Sequence, residues 1–224
     1  MEASKQTHWI PLADLMTGLM MIFMLITAIY ISKVDPTTTL VLDEYKVVRE
    51  DMKLALQQEF SNDFKQWNAV LLGDMTIRFN NPNVQFASGS SDLRPEFQAL
   101  LKDFFPRYMK IVRGEKFKKA VKEIRIEGHT SSFWKGASTS DAYFLNMDLS
   151  QQRTRSTLKF IMGMPAFQTE ETWLKEHITA NGLSSSRPII KNPKSSQDDE
   201  INQRVEFRIV TNAADRFEQM IQAR

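Results

Sequence analysis

Hydrophobic positions change their spacing twice along this chain, and the three regimes mark three parts. From Trp9 to Ser32 the residues are almost continuously apolar, and Asp14 is the only charge in the 24-residue segment. A helix of that length is roughly 36 Å long, enough to cross a bilayer core of about 30 Å. Asp35-Pro36-Thr37-Thr38-Thr39 then reads as a break, because proline disfavours a continuous helix. From Leu40 to Leu72 apolar residues recur at Val41, Tyr45, Val48, Met52, Leu56, Phe60, Phe64, Trp67 and Leu71, in steps of 3 or 4. That spacing predicts an amphipathic helix of about eight or nine turns. Its stripe needs cover, either from its own domain or from a second copy, and a stripe this long favours the second copy.

From Gly73 onward the period alternates between 2 and 3.6. Strands are predicted over Met75–Phe79, Val121–Glu127, Ile178–Asn181 and Arg204–Val210, with a turn at Asn80–Asn83. Helices are predicted from Pro95 to about Val112, over Asp148–Met162, over Thr169–Glu176 and over residues 213–223. Lys191–Glu200 reads as a polar loop. The mixed order suits an α+β sandwich with helices on one sheet face. The expected organisation is a short N-terminus (1–8), a single transmembrane helix (9–32), a linker with an amphipathic helix (33–72) and one folded domain (73–224).

Charge and composition then exclude several classes. A net charge of +2 is too small to argue for a nucleic-acid partner. The basic run Lys116–Arg125 reads as a solvated face. There is no cysteine, and the three histidines (His8, His129, His177) lack ligand spacing, so no metal or cofactor is expected. His129 is expected to be a hydrogen-bonded structural residue. No nucleophile elbow, phosphate loop or zinc motif points to an enzyme. The apolar stretch is long for a signal peptide and no clear A-x-A site follows it, so a retained anchor is expected. Lys5 and Lys33 nearly balance across it. The simpler topology leaves the short N-terminus in the cytoplasm and the domain outside.

Four segments of the domain, Val84–Leu93 (VQFASGSSDL), Ile124–Thr130 (IRIEGHT), Asn146–Arg153 (NMDLSQQR) and Asn202–Ile209 (NQRVEFRI), occur in the order of one known family. Together they resemble the OmpA-like peptidoglycan-binding domain over about residues 75–210. The resemblance implies a non-catalytic domain that grips the cell-wall stem peptide, holding a diaminopimelate carboxylate by an arginine and its amine by an aspartate. The residues it points to are Asn146, Leu149, Arg153 and Arg204. A guanidinium fork suits a carboxylate, which agrees with Arg153. The chain departs from the family after Gly128-His129-Thr130, where Ser131 stands in place of the usual aspartate. Asp141 and Asp148 are the acids nearby, and Ser132–Tyr143 is longer than typical.

The anchor carries a second resemblance. Trp9 and Asp14, followed by Leu15-Met16-Thr17-Gly18-Leu19-Met20-Met21, resemble the MotB-type stator proteins, and most closely the branch found in the Zorya antiphage system. That resemblance implies a proton-driven motor of the bacterial inner membrane. A homodimer would sit within a pentameric ring of MotA-like (ZorA-like) subunits, with Asp14 as proton carrier. Asp14, Gly18, Met21 and Leu25 share one helix face. An acid at that depth is costly and usually has a function. A flagellar stator subunit and a passive envelope tether are the alternative readings.

Overall fold

The computed structural model describes residues 9–32, 36–191, 193 and 199–222. The expectations for residues 1–8 and for most of the 191–200 loop fall outside the described residues.

Helix α1 (Trp9–Ser32) has the predicted span. From Ala13 to Ser32 none of it is buried, and it is the one described helix long and apolar enough to cross a membrane. Large side chains such as Met21, Phe23 and Leu25 stand exposed along it, so lipid or another chain must cover them.

Helix α2 (Pro36–Phe60) is shorter than the predicted Leu40–Leu72 element. Ser61 and Asn62 form a turn, a one-turn helix α3 (Asp63–Gln66) follows, and Asn68 adopts φ 48°. A left-handed asparagine reverses the chain at modest cost. Ala69–Leu71 thereby becomes strand β1 rather than the end of a helix. The stripe on α2 is covered by the chain's own domain. Met52, Leu56 and Phe60 are fully buried, and Val48, Phe64, Trp67 and Leu71 pack against the same core. The expectation that one domain would leave this stripe to a second copy therefore does not hold.

The covering element is α5 (Pro95–Val112), which follows β2 (Thr76–Phe79) and a one-turn helix α4 (Pro82–Gln85) in the region predicted as a turn. Phe104 is its central contact, with ring centroids 5.3 Å from Phe60, 5.2 Å from Phe79, 5.1 Å from Tyr108 and 5.2 Å from Phe207. Arg107 ties α5 to α2 and α3 by donating to Glu59 at 2.7 Å and Asp63 at 2.8 Å. The remaining elements are β3 (Val121–His129), α6 (Thr139–Met162), a 3-10 turn (Pro165–Glu170), α7 (Glu171–His177), β4 (Ile178–Gly182), β5 (Arg204–Thr211) and α8 (Ala213–Gln222).

The strands form one five-stranded sheet in the order β1-β2-β5-β3-β4. Among the described residues, β3 and β4 pair in parallel and the other strand pairs are antiparallel. The fold is the expected α+β arrangement. Side chains alternate across the sheet. Ile124, Ile126, Val205, Phe207 and Ile209 belong to the core shared with α5. Their alternates Glu127, His129, Arg204 and Glu206 lie on the other face, also buried.

Candidate functional site

Helix α6 is held close to the sheet by two glycines. A Cβ on Gly128 would lie 2.6 Å from Thr154 Cγ2 and 3.0 Å from the Ser150 carbonyl, and one on Gly182 would collide with the Gln151 backbone. Hydrogen bonds complete the clamp. Ser184 N donates to Ser150 Oγ at 3.0 Å, Gln151 Nε2 donates to the Ala180 carbonyl at 3.1 Å, and Gly182 N donates to Gln151 Oε1 at 2.7 Å. The Leu-Ser-Gln-Gln-Arg run thus docks α6 and points Arg153 into a narrow cleft with Gln85, Phe86, Gly128 and Gln203.

Arg153 is 6% exposed. Its Nε donates to the Ser90 carbonyl at 2.9 Å and its Nη2 to the Ala87 carbonyl at 3.2 Å, while the guanidinium lies 5.0 Å over the Phe86 ring. No carboxylate among the described residues pairs with it, and Nη1 makes no hydrogen bond among them. Burial pushes its pKa down to about 10. A desolvated guanidinium whose Nη1 has no partner is a ready donor site for a carboxylate.

Asn146 and Leu149 lie on the same helix, both buried. Asn146 Nδ2 donates to the Phe133 carbonyl at 3.3 Å, and Thr130 Oγ1 donates to the Asn146 carbonyl at 3.4 Å. Asn146 therefore shapes the segment after β3. Neither Asp141 nor Asp148 hydrogen-bonds Ser131 among the described residues. Asp141 accepts from Ser138 Oγ at 2.7 Å as part of the α6 N-terminal cap, and Asp148 is exposed. Asp199 is the acid that reaches Ser131. It accepts from the Ser131 hydroxyl, from Ser132 N at 3.3 Å, from Ser132 Oγ at 3.4 Å and from Asn202 Nδ2 at 3.4 Å. Sequence reasoning missed it because it is 68 residues from Ser131, in a segment whose sequence shows no periodicity.

Arg204 borders the same cleft but is paired differently. Nε donates to Glu206 Oε1 at 2.6 Å, Nη1 to the Asn202 carbonyl at 2.9 Å and Nη2 to the Arg187 carbonyl at 3.0 Å. Arg78 Nε reaches the same Glu206 oxygen at 2.7 Å. Burial lowers the Arg204 pKa, against the opposing pull of Glu206. Register explains the cluster: Glu127 stands opposite Glu206, and His129 opposite Arg204. Two carboxylates directly opposite repel unless cations intervene. His129 Nε2 approaches Glu206 Oε2 at 3.5 Å, but neither ring nitrogen makes a hydrogen bond, contrary to expectation. Burial lowers the His129 pKa, with Glu206 opposing. Burial alone would raise Glu206, but His129 and Arg204 outweigh it and hold that carboxyl well below the usual range. Glu127, His129 and Glu206 have ligand atoms within 4.8 Å of one another, a grouping the sequence spacing did not show. Arg78 and Arg204 already neutralise Glu206, and Arg187 lies 3.5 Å from Glu127. The donor set therefore fits internal ion pairing better than a divalent cation.

Asp14 is exposed on α1 and its carboxylate has no partner among the described residues. Its backbone carbonyl accepts from Thr17 Oγ1 at 2.9 Å. A Cβ on Gly18, one turn on, would meet nothing within 4 Å. The Asp14 face is open for close approach by another helix.

No protein-family model matches the chain. The chain is 38% identical over 221 residues to the Zorya protein ZorB of Escherichia coli (strain Crooks), covering 96% of this chain and 92% of that protein. The crystal structure of a MotB-like protein from Desulfovibrio vulgaris superposes with a TM-score of 0.54 at 24% identity, over 77% of this chain and 99% of that one. That second likeness is one of fold.

Proposed function

The chain belongs to the ZorB family, and from that premise we propose that it is the stator-type subunit of a Zorya motor in the bacterial inner membrane, defending against phage. Helix α1 crosses the bilayer once, with residues 1–8 in the cytoplasm and the domain from residue 73 in the periplasm. Asp14 carries protons. A carboxylate that is neutral when buried and charged when hydrated can bind and release a proton as its surroundings alternate. Two copies pair along the Asp14–Gly18 face inside a pentameric ring of MotA/ZorA-like subunits. The pairing rests on the anchor, since the α2 stripe is covered within the chain. The domain braces the motor by gripping a peptidoglycan stem peptide, with Arg153 taking a carboxylate.

The observation that carries this reading is Asp14, the sole charge of α1, exposed and without a partner among the described residues. A passive tether has no use for an unpaired acid in a membrane helix, where such a group is expensive. Asp14→Asn tests it, because the amide is nearly isosteric but carries no titrating proton. In cells expressing the whole system, the variant is expected to lose phage protection while still co-purifying with the ring subunit at wild-type levels. Full protection by the Asn variant overturns proton carriage.

A further inference from the structure

A groove of about 910 Å³ lies between α5 and the last two turns of α6. Its volume falls within the range of about 300–1,000 Å³ usual for small-molecule pockets. It stays open because several side chains facing it are short or cyclic: Pro106 on α5, Ser156 and Gly163 along and just after α6, and Ala166 beyond. Pro106 sits inside α5, where it has no N–H to give the Lys102 carbonyl one turn back. Leu93, Phe160 and Met164 supply apolar walls continuous with the core. The groove shares no lining residue with the Arg153 cleft.

Two lysines border this groove. Lys102 Nζ lies 5.9 Å from the centroid of the Phe160 ring, and Lys159 stands one position before that ring on α6. Neither has an ionic partner among the described residues. By contrast, Lys116, Lys118, Lys122 and Lys175 each reach a carboxylate within 2.9 Å. Asp92 also lines the groove, but it precedes α5, whereas Lys102 lies two turns into that helix. Charge is therefore divided along the groove, with the cations set beside the Phe160 wall. That arrangement complements a ligand with one anionic head and an apolar body. Ser156 to Gly163 spans only about 10 Å, two turns of helix, where an average helix has about three. The groove is thus sized for a small molecule rather than for a docked helix.

We infer that this groove binds a small diffusible amphiphile of the medium-chain fatty-acid class, with its carboxylate at Lys102 and Lys159 and its hydrocarbon body against Leu93, Phe160 and Met164. Removing hydrocarbon from water drives entry, at about 25 cal/mol per Å² buried. The lysines select the head. A carboxylate gains charge-assisted hydrogen bonds from the ammonium groups, a neutral head gains weaker ones, and a cationic head is repelled. The site takes a different ligand in a different place from the wall peptide, and stands whether or not the domain grips the wall.

The test uses the full chain in phosphatidylcholine nanodiscs and a photoreactive probe, decanoate carrying a diazirine near its methyl end, with the label located by mass spectrometry. Probe dissolved in the bilayer labels α1 in every sample, so α1 provides the internal standard for labelling of the groove. Wild type is expected to carry label on residues lining the groove, and excess decanoate should remove it. Decanol and decyltrimethylammonium should compete at least about tenfold more weakly. Lys102→Glu combined with Lys159→Glu should lower groove labelling relative to α1 at least about tenfold, and Ser156→Trp, which fills the gap without changing charge, should do the same. If label falls on α1 alone, or decanol competes as well as decanoate, the ligand assignment is overturned, however the variants fold. Groove labelling that survives the double lysine change at wild-type melting temperature overturns it too. If the ring subunit removes the label and decanoate does not, the groove is a protein interface and the assignment falls.

Discussion

Arg153 and Arg204 are both almost fully buried, and both occur in motif strings that mark the same family, yet they occupy opposite situations. Arg204 lies on the sheet face away from α5 and α6, with a carboxylate at 2.6 Å and a carbonyl for each remaining nitrogen. Arg153, on α6, has two carbonyls, an aromatic face and no carboxylate among the described residues. The first arrangement closes on itself and holds strands and loops in register. The second leaves charge uncompensated, which folding alone does not reward. Of two buried arginines, the one with unmet electrostatic demand is the better candidate for binding, and the satisfied one is structural. On that ground we propose that Arg204, which also lines the Arg153 cleft, shapes it rather than taking a ligand's charge.

Replacing each arginine by methionine breaks this contrast if it is wrong. Arg204→Met removes a direct neighbour of Glu206 and leaves that buried carboxylate to Arg78 and His129. The expected loss of stability is about 3–5 kcal/mol, the range for breaking a buried pair. Arg153→Met removes a desolvated charge with no ionic partner, and should change stability by no more than about 1 kcal/mol. It should also abolish co-sedimentation with isolated sacculi. Urea unfolding of the two variants measures the first difference, and pelleting measures the second. Equal destabilisation by both variants would make Arg153 a structural residue.

Acidity offers a second separation of the two regions. Burial favours neutral His129, so its folded pKa lies below the unfolded value of about 6.5. The stability this group contributes is therefore present above about pH 6.5 and declines as pH falls through its folded value. Glu206 behaves likewise at lower pH: its contribution is present above about 4.3 and is lost as pH drops through its depressed pKa. Melting temperature should fall in two stages on acidification. His129→Gln should remove the upper stage and, because His129 helps hold the Glu206 carboxyl down, weaken the lower one. Arg153, at about 10, does not titrate in this window, so Arg153→Met should retain the wild-type profile. A profile unchanged by His129→Gln would place the acid sensitivity elsewhere.

The elements that sequence pattern revealed are those whose pattern is local. Helix α1 reads directly from its apolar run, α5 from its period after Pro95, and β5 from Val205, Phe207 and Ile209. Helix α2 was predicted too long because Ser61, Asn62 and Asn68 are weak breakers, and the apolar residues beyond them keep a helical spacing by coincidence. The true partner of that stripe is α5, a tertiary fact that periodicity does not encode. Arg153 was legible from its string, but its burial and missing counter-charge were not. The Glu127–His129–Arg204–Glu206 cluster was half visible as alternate charged residues on two strands. Only the β3–β5 register brings the halves together. Asp199 left no signal, since nothing local ties it to Ser131.

The start of α6 provides a control that should separate local helix stability from both arginines. The helix was predicted from Asp148, but it begins at Thr139, nine residues earlier, because Ser138 caps it. Ser138 Oγ accepts from Asp141 N at 3.2 Å, which satisfies a free N–H of the first turn, and donates to Asp141 Oδ2 at 2.7 Å. Arg153 is more than three turns beyond this cap, and Gly128, Gly182, Ser150 and Gln151 clamp the helix between them. Ser138→Ala should therefore cost about 1 kcal/mol in urea unfolding, the usual value for a lost cap. Sacculus binding should be unchanged, because the clamp rather than the cap positions the guanidinium. A variant that loses wall binding at this small cost in stability would mean that the first turns of α6, with the insertion they close, take part in the site. The contrast between a satisfied and an unsatisfied arginine would then be too simple an account of where the wall is held.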